Sequence, residues 1–157
     1  MPDNFITNAG SGGTTFASDD LGGSPAVHYP RVKVSQGNDG VAQDGWTPAR
    51  LISAASTNAG VIKAAAGQIG LIIAINTNAA VRYLKLYNLT TSPTVGTDTP
   101  IVTIPIPGNT AGAGVAISIP GGLNFSTGIA RALTTGAADS DTGAVAANEI
   151  ILTFGYV

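Results

Sequence analysis

Short apolar runs, separated by turn-forming residues, follow one another along most of this chain. Residues 71–76 and residues 81–88 are two such runs on either side of the polar break formed by residues 77–80. Two strand-like runs across a short polar break are typical of a β-hairpin, so the sequence predicts a hairpin here.

Similar runs recur up to the C-terminal residues, and no long helical pattern interrupts them. Besides the two runs of the hairpin, the predicted strands occupy residues 27–34, 61–66, 101–107, 115–120, 123–125, 129–133 and 149–156, while residues 49–53 are an apolar run without an assigned element. Because Pro105, Pro107 and Pro120 have no backbone N–H to donate, their strands should lie or end at sheet edges, and Pro30 places its strand at an edge or bulge. Roughly eight strands with turns between them predict an all-β fold, a β-sandwich of jelly-roll type.

Residues 1–26 have a different character, since they are rich in Gly, Ser, Thr, Asn and Asp. This composition predicts an extended N-terminal arm without regular elements, followed by a sandwich body over residues 27–157. A disordered tail is the alternative. The arm carries a few apolar side chains that would anchor it to another surface, namely Phe5, Ile6, Phe16 and Leu21.

Charge and reactive side chains are scarce. Only 10% of the residues are charged and the formal net charge is −2, so the chain has no basic patch that would indicate nucleic-acid binding. With one His, one Glu and no Cys, it lacks the groups from which an acid, a base and an activated nucleophile are built. We therefore expect a protein that is not an enzyme, with no cofactor and no catalytic residue; His28 is interpreted as a structural residue.

Three local patterns have a chemical and a structural interpretation. Residues 38–40 and 139–142 carry oxygen ligands of the kind calcium prefers, but Asp and Asn also favour turns, and we predict no metal site. Tyr83, Lys85 and Tyr87 alternate along one strand and would form either a carbohydrate-binding row or a core-edge or subunit contact. Trp46 is interpreted as a plug for one end of the sandwich rather than a sugar platform.

Neither an apolar run long enough to span a bilayer nor an N-terminal export signal is recognisable, so we expect no membrane association. The low charge is typical of a subunit that covers much of its surface against neighbours. Several predicted strands carry Pro at sheet edges, and the polar surface consists mainly of Thr, Ser and Asn. Such a subunit has apolar area that identical copies can cover, and we expect a homotrimer.

Several segments of the sequence have a recognisable wording: Gly-Gly-Thr-Thr-Phe-Ala-Ser-Asp-Asp-Leu-Gly-Gly at residues 12–23, Val-His-Tyr-Pro-Arg-Val-Lys-Val at 27–34, Gly-Asn-Asp-Gly at 37–40, and the segments 76–88, 93–100 and 125–130. These segments resemble small structural proteins of tailed bacteriophages. The resemblance covers most of the chain and brings no catalytic or ligand-binding residue with it.

This resemblance implies a virion protein with a jelly-roll body, often trimeric, that decorates the capsid or belongs to a head fibre. Its partner would be the major capsid protein or another virion protein, and it would be assembled into the virion in the host cytoplasm. A tail-fibre or baseplate subunit is the first alternative. A carbohydrate-binding module for host recognition is the second.

Overall fold

A computed structural model describes residues 45–110 and 113–157, together with the backbone of two short strands nearer the N-terminus. The chain divides into two units, Met1–Ser35 and Gln36–Val157, and each is considered by itself. The described residues contain strands and turns and no helix, which confirms the all-β prediction. The strands are β1 (Ser18–Asp20), β2 (His28–Pro30), β3 (Thr47–Ile52), β4 (Gly60–Lys63), β5 (Gly67–Asn76), β6 (Arg82–Asn88), β7 (Val102–Ile106), β8 (Gly114–Phe125), β9 (Ile129–Thr134) and β10 (Ile150–Tyr156).

In the first unit, β1 and β2 pair antiparallel, with Ser18 opposite Pro30 and Asp20 opposite His28. The expectation that residues 1–26 contain no regular element is therefore wrong for Ser18–Asp20. Pro30 ends its strand, as a residue without an N–H donor can do at little cost. The rest of the predicted strand, residues 31–34, lies outside the described residues, and the domain boundary at residue 26 stays a prediction.

The second unit contains two four-stranded antiparallel sheets. The first sheet has the order β3-β10-β5-β8, and the second sheet has the order β4-β9-β6-β7. The pairing is nested along the chain, because β3 pairs with β10, β4 with β9, β5 with β8, and β6 with β7. Strands from the two ends of the unit therefore lie side by side.

One hydrophobic core cluster draws residues from both sheets. Along β5, Ile69, Ile72 and Ala74 are buried, and along β6 Leu84 and Leu86 are buried in the same cluster. The largest members from the other strands are Ile106, Phe125, Ile129, Leu133, Ile150, Leu152 and Phe154. Each such side chain contributes about 1.5–3 kcal/mol when it leaves water, so this shared core holds the two sheets together.

The predicted hairpin is wrong, because β5 and β6 belong to different sheets. The Asn76 side chain organises the connection: its amide nitrogen donates to the carbonyls of Ala80 and Ile106 at 3.0 and 3.1 Å, and its oxygen accepts from the Asn78 N–H at 2.9 Å. These bonds hold a turn that carries the chain from one sheet to the other, while each strand finds its partners elsewhere.

The prolines lie where their missing N–H predicts. β7 contains Pro105 and is an edge strand of the second sheet, and β8 contains Pro120 and is an edge strand of the first. The runs predicted separately at residues 115–120 and 123–125 form one strand, β8, joined through Gly121 and Gly122. Both glycines have positive φ, 81° and 76°, a conformation that other residues rarely adopt.

Candidate functional site

The anchors predicted in the arm, Phe5, Ile6, Phe16 and Leu21, lie outside the described residues, so their role stays a prediction. The same holds for residues 38–40. His28 is placed in β2 opposite Asp20 by its backbone. The second unit therefore supplies the surfaces and clusters whose side chains are described.

The predicted alternation along β6 is confirmed. Leu84 and Leu86 enter the core, whereas Tyr83, Lys85 and Tyr87 lie on the opposite, outer face of the second sheet. Lys85 and Tyr87 are nevertheless fully buried there, and Tyr87 packs with Leu89 and Val95 from the segment between β6 and β7. A ligand in solution cannot reach these two side chains, so the interpretation of this row as a carbohydrate-binding platform is wrong.

Lys85 makes its contacts with the segment between β9 and β10. Its Nζ donates to the carbonyl oxygens of Ala138, Asp139 and Asp141, at 2.6, 3.3 and 3.2 Å. A buried ammonium group is costly unless hydrogen bonds replace its hydration, and three carbonyl oxygens match its three donors. Lys85 thus fastens this segment to the outer face of the second sheet.

The same segment contains the predicted oxygen-rich turn, residues 139–142. The carboxylate of Asp141 accepts hydrogen bonds from the N–H groups of Gly136 and Gly143, both at 3.0 Å. Two of the three carbonyl groups that accept from Lys85, those of Asp139 and Asp141, belong to this turn. Within the described residues no group of three or more His, Cys, Asp or Glu side chains is placed to hold a metal ion.

The hydroxyl of Tyr87 lacks a hydrogen-bond partner among the described residues, although it is fully buried. Burial raises the pKa of this phenol above its usual value of 10.0, and the negative charges of Asp98 and Asp139 raise it further. All three effects disfavour the phenolate. Tyr87 therefore stays neutral to higher pH in the folded protein than in the unfolded chain.

The single Glu of the chain forms a buried ion pair at the start of β10. Glu149 Oε1 lies 2.6 Å from Nε of Arg82, although the N–H is poorly aligned with the oxygen, and Oε2 accepts from the Ala146 N–H at 2.5 Å. Nearby, Ser53 Oγ accepts from the N–H groups of Glu149 and Ile150, both at 3.0 Å. Ser53 thus bonds to the backbone of Glu149 and not to its carboxylate. The hydroxyl of Ser53 and the carboxylate of Glu149 both hold the backbone at the start of β10.

Trp46 precedes β3 and lies against two glycines of the first sheet. A Cβ atom added to Gly70 would fall inside the Trp46 ring, and one added to Gly155 would lie 2.9 Å from Trp46 Cβ. Gly155 is opposite Leu71 in the register of β10 and β5, and neither residue joins the core. Trp46 therefore covers the outer surface of the first sheet instead of plugging an end of the core, which corrects the expectation from the sequence.

The first sheet leaves a largely apolar surface on its outer side, which we call the isoleucine face. It is formed by the outward side chains of the four strands, with Ile52, Ile151 and Ile75 in one row and Arg50, Thr153, Ile73 and Ala116 in the next. Exposure of the side chains reaches 38% at Ile73, 42% at Ile75 and 43% at Ile52. Leu71 and Trp46 extend the face at one end.

Sequence reasoning missed the isoleucine face, although β5 contains its signal. Residues 71–75 are apolar without a polar interruption, and a continuous apolar run predicts a strand that is covered on both sides. The apolar run and the polar break after it were sufficient to predict a strand, so the additional isoleucines on its outer side were not interpreted. Arg50 is the single charged residue in β3, β5, β8 and β10.

No protein-family model, no curated protein and no solved structure matches this chain. None of the described segments is a helix of sufficient length and apolar character to cross a membrane.

Proposed function

We propose that the second unit is a jelly roll. The nested pairs β3–β10, β4–β9, β5–β8 and β6–β7 support this assignment, because a jelly roll is an eight-stranded double sheet in which one long antiparallel ribbon is wrapped around a core. The shared hydrophobic cluster between the two sheets supports it as well. The jelly roll is a frequent fold of viral capsid proteins and lectins, so it suits a virion role without establishing one.

We further propose that the chain is a non-enzymatic structural protein of a tailed-bacteriophage virion, which decorates the capsid or projects from it as a homotrimer. Two observations together support this proposal: the segments that resemble structural proteins of tailed bacteriophages, and the nested strand order of the second unit. The scarcity of charge in the first sheet adds support, since a subunit that is covered by neighbours does not need a highly charged surface. The low content of reactive groups agrees with a scaffolding role.

In this proposal the N-terminal arm attaches the body to the particle through Phe5, Ile6, Phe16 and Leu21. An extended arm covers a wide area of a neighbour with few residues, and its apolar side chains supply the anchors. The body then projects from the shell. A tail-fibre position and binding of a host glycan are the alternatives that the test below distinguishes.

The role of the arm is tested by measuring binding to phage heads that lack this protein. Three proteins are compared: the full-length chain, a chain without residues 1–26, and a full-length chain in which the four anchors are changed to Ser. We expect saturable binding of the full-length chain, and loss of binding for both variants while their circular dichroism stays that of a folded β protein. Retention of full binding by the truncated chain would exclude the arm. Binding to tails alone, or to a glycan array, would favour the corresponding alternative.

A further inference from the structure

We propose that β3 is a strand that opens from β10 while the rest of the second unit stays folded, and that the ring of Trp46, lying on Gly70 and Gly155, is the latch that keeps it closed. Three features of the first sheet support this device: the weak burial of β3, the contacts at its two ends, and the close approach of Trp46 to the two glycines. The device does not depend on the proposed virion role.

The core holds β3 only weakly. Ala49 and Leu51 are partly buried against the core cluster, and the other four of its six residues are exposed. Its neighbour β10 has four buried residues among seven. β3 is also an edge strand that pairs with β10 alone, and Pro48 has no N–H to donate to that pairing. A strand with so little buried apolar surface opens at a low free energy unless other contacts hold it.

Contacts just outside the strand hold its two ends. After the strand, the buried Ser53 donates from Oγ to the carbonyl of Ala146 at 2.7 Å. The same Oγ accepts from the N–H groups of Glu149 and Ile150. Before the strand, Trp46 reaches across β10 to β5, and more than half of its surface is covered, since 41% is exposed. The attachment of β3 therefore depends on its end contacts more than on the core.

The two glycines leave the space that the ring of Trp46 occupies. The three atoms nearest to a Cβ added at Gly70 are Cζ2, Cε2 and Cη2 of Trp46. Gly70 has no partner residue in the register of β5 with either β10 or β8, which is typical of a bulge where another group approaches the backbone closely. Gly70 does not have positive φ, so its backbone accepts alanine. A methyl group at this position would displace the ring and nothing else.

Opening of β3 changes the edge of the first sheet. The N–H and C=O groups of β10 that pair with β3 would lose their partners, and the sheet would end at an uncovered strand. An uncovered edge is able to pair with a strand of another chain. Trp46 therefore determines whether the first sheet ends at a covered or an uncovered edge.

The first test fills the space under the ring without removing a side chain. Gly70→Ala is compared with Gly45→Ala, the matched control, because Gly45 is next to Trp46 and a Cβ there meets nothing within 4 Å. Trp46 is the single Trp of the chain, so its fluorescence reports its surroundings alone. We expect a red shift of the emission maximum in Gly70→Ala and the wild-type spectrum in Gly45→Ala. A wild-type spectrum in Gly70→Ala would overturn the role of the glycines.

Hydrogen exchange, followed by mass spectrometry, measures the opening itself. Displacing the ring uncovers on the order of 100 Å² of it, so exchange in residues 46–53 of Gly70→Ala should accelerate by about tenfold or more. Exchange in β6 and β9 should keep the wild-type rate, and Gly45→Ala should match wild type throughout. Equal acceleration in β3, β6 and β9 would show a general loss of stability and would overturn the latch.

A double-mutant cycle isolates the contact between the ring and the glycine. Trp46→Ala alone should accelerate exchange in β3 about as much as Gly70→Ala does. Because the atoms nearest to a Cβ at Gly70 all belong to Trp46, Gly70→Ala should have no further effect once the ring is gone. Additive effects of the two substitutions, or unchanged exchange in Trp46→Ala, would contradict the proposal.

If Gly70→Ala does not fold, exchange of the wild type in increasing urea decides the matter. Amides of β3 should exchange through an opening that exposes little surface and depends weakly on urea, whereas amides of β9 should follow global unfolding, which depends steeply on urea. The same steep dependence in β3 and β9 would show that β3 does not open by itself.

Discussion

Lys85 and Tyr87 lie two residues apart on the outer face of β6 and are both fully buried, yet their polar groups have different surroundings. Lys85 has three carbonyl partners, whereas the Tyr87 hydroxyl has none among the described residues. A buried polar group without a partner is destabilising, and a paired one is stabilising. Loss of the polar group should therefore destabilise the protein at Lys85 and should not destabilise it at Tyr87.

At neutral pH we expect Tyr87→Phe to leave the free energy of unfolding unchanged or to raise it by up to about 1–3 kcal/mol, because it removes an unpaired hydroxyl. Above pH 10.0 the unfolded wild type releases its Tyr87 proton while the folded protein, whose pKa is raised, retains it. Wild-type stability therefore falls with increasing pH in this range, and the variant lacks this contribution.

The measurement is urea unfolding at pH 7 and at pH 11, with Tyr83→Phe as a control on the same strand at a partly exposed position. The difference in the free energy of unfolding between Tyr87→Phe and wild type should become more favourable to the variant from pH 7 to pH 11. A loss of more than about 1 kcal/mol at pH 7 would show that the hydroxyl has a favourable partner.

At the scale of elements, strand positions were predictable and strand partners were not. Apolar runs between turns identified most strands of the second unit, although β3 was not predicted, and Pro105 and Pro120 correctly placed β7 and β8 at sheet edges. The prediction of a hairpin was wrong because the pattern of residues 71–88 indicates two strands and a turn but does not indicate which sheet each strand joins. The Asn76 amide also donates to the carbonyl of Ile106, thirty residues away, and a contact so distant in sequence has no local signal.

The segment between β9 and β10 is the element most dependent on one side chain. We expect Lys85→Met to lower the free energy of unfolding by about 1–3 kcal/mol, since it removes charge-assisted bonds to three carbonyls but keeps an apolar stem. Hydrogen exchange at Thr135 and Gly143, whose N–H groups bond within the segment, should accelerate. Lys63→Met removes the same charge from a partly exposed position on β4 and serves as the control. Equal exchange in both variants would contradict this role for Lys85.

For the whole molecule, the sequence predicted the all-β class, which the described residues confirm. The scarcity of reactive groups is a property of the composition and supports the proposed structural role. The sequence did not predict the isoleucine face, because that surface arises only when β3, β10, β5 and β8 are brought together from distant parts of the chain. The buried states of Lys85 and Tyr87 were hidden for the same reason. Surfaces and clusters built across a nested topology require the strand order, which no local pattern contains.

The central claim is that three copies of this chain form a projection on a phage head. Electron cryo-microscopy of particles that carry the protein tests it most directly. We predict three-fold projections at positions repeated over the shell. Particles whose heads carry no such density, or whose tails alone contain this protein, would contradict the account.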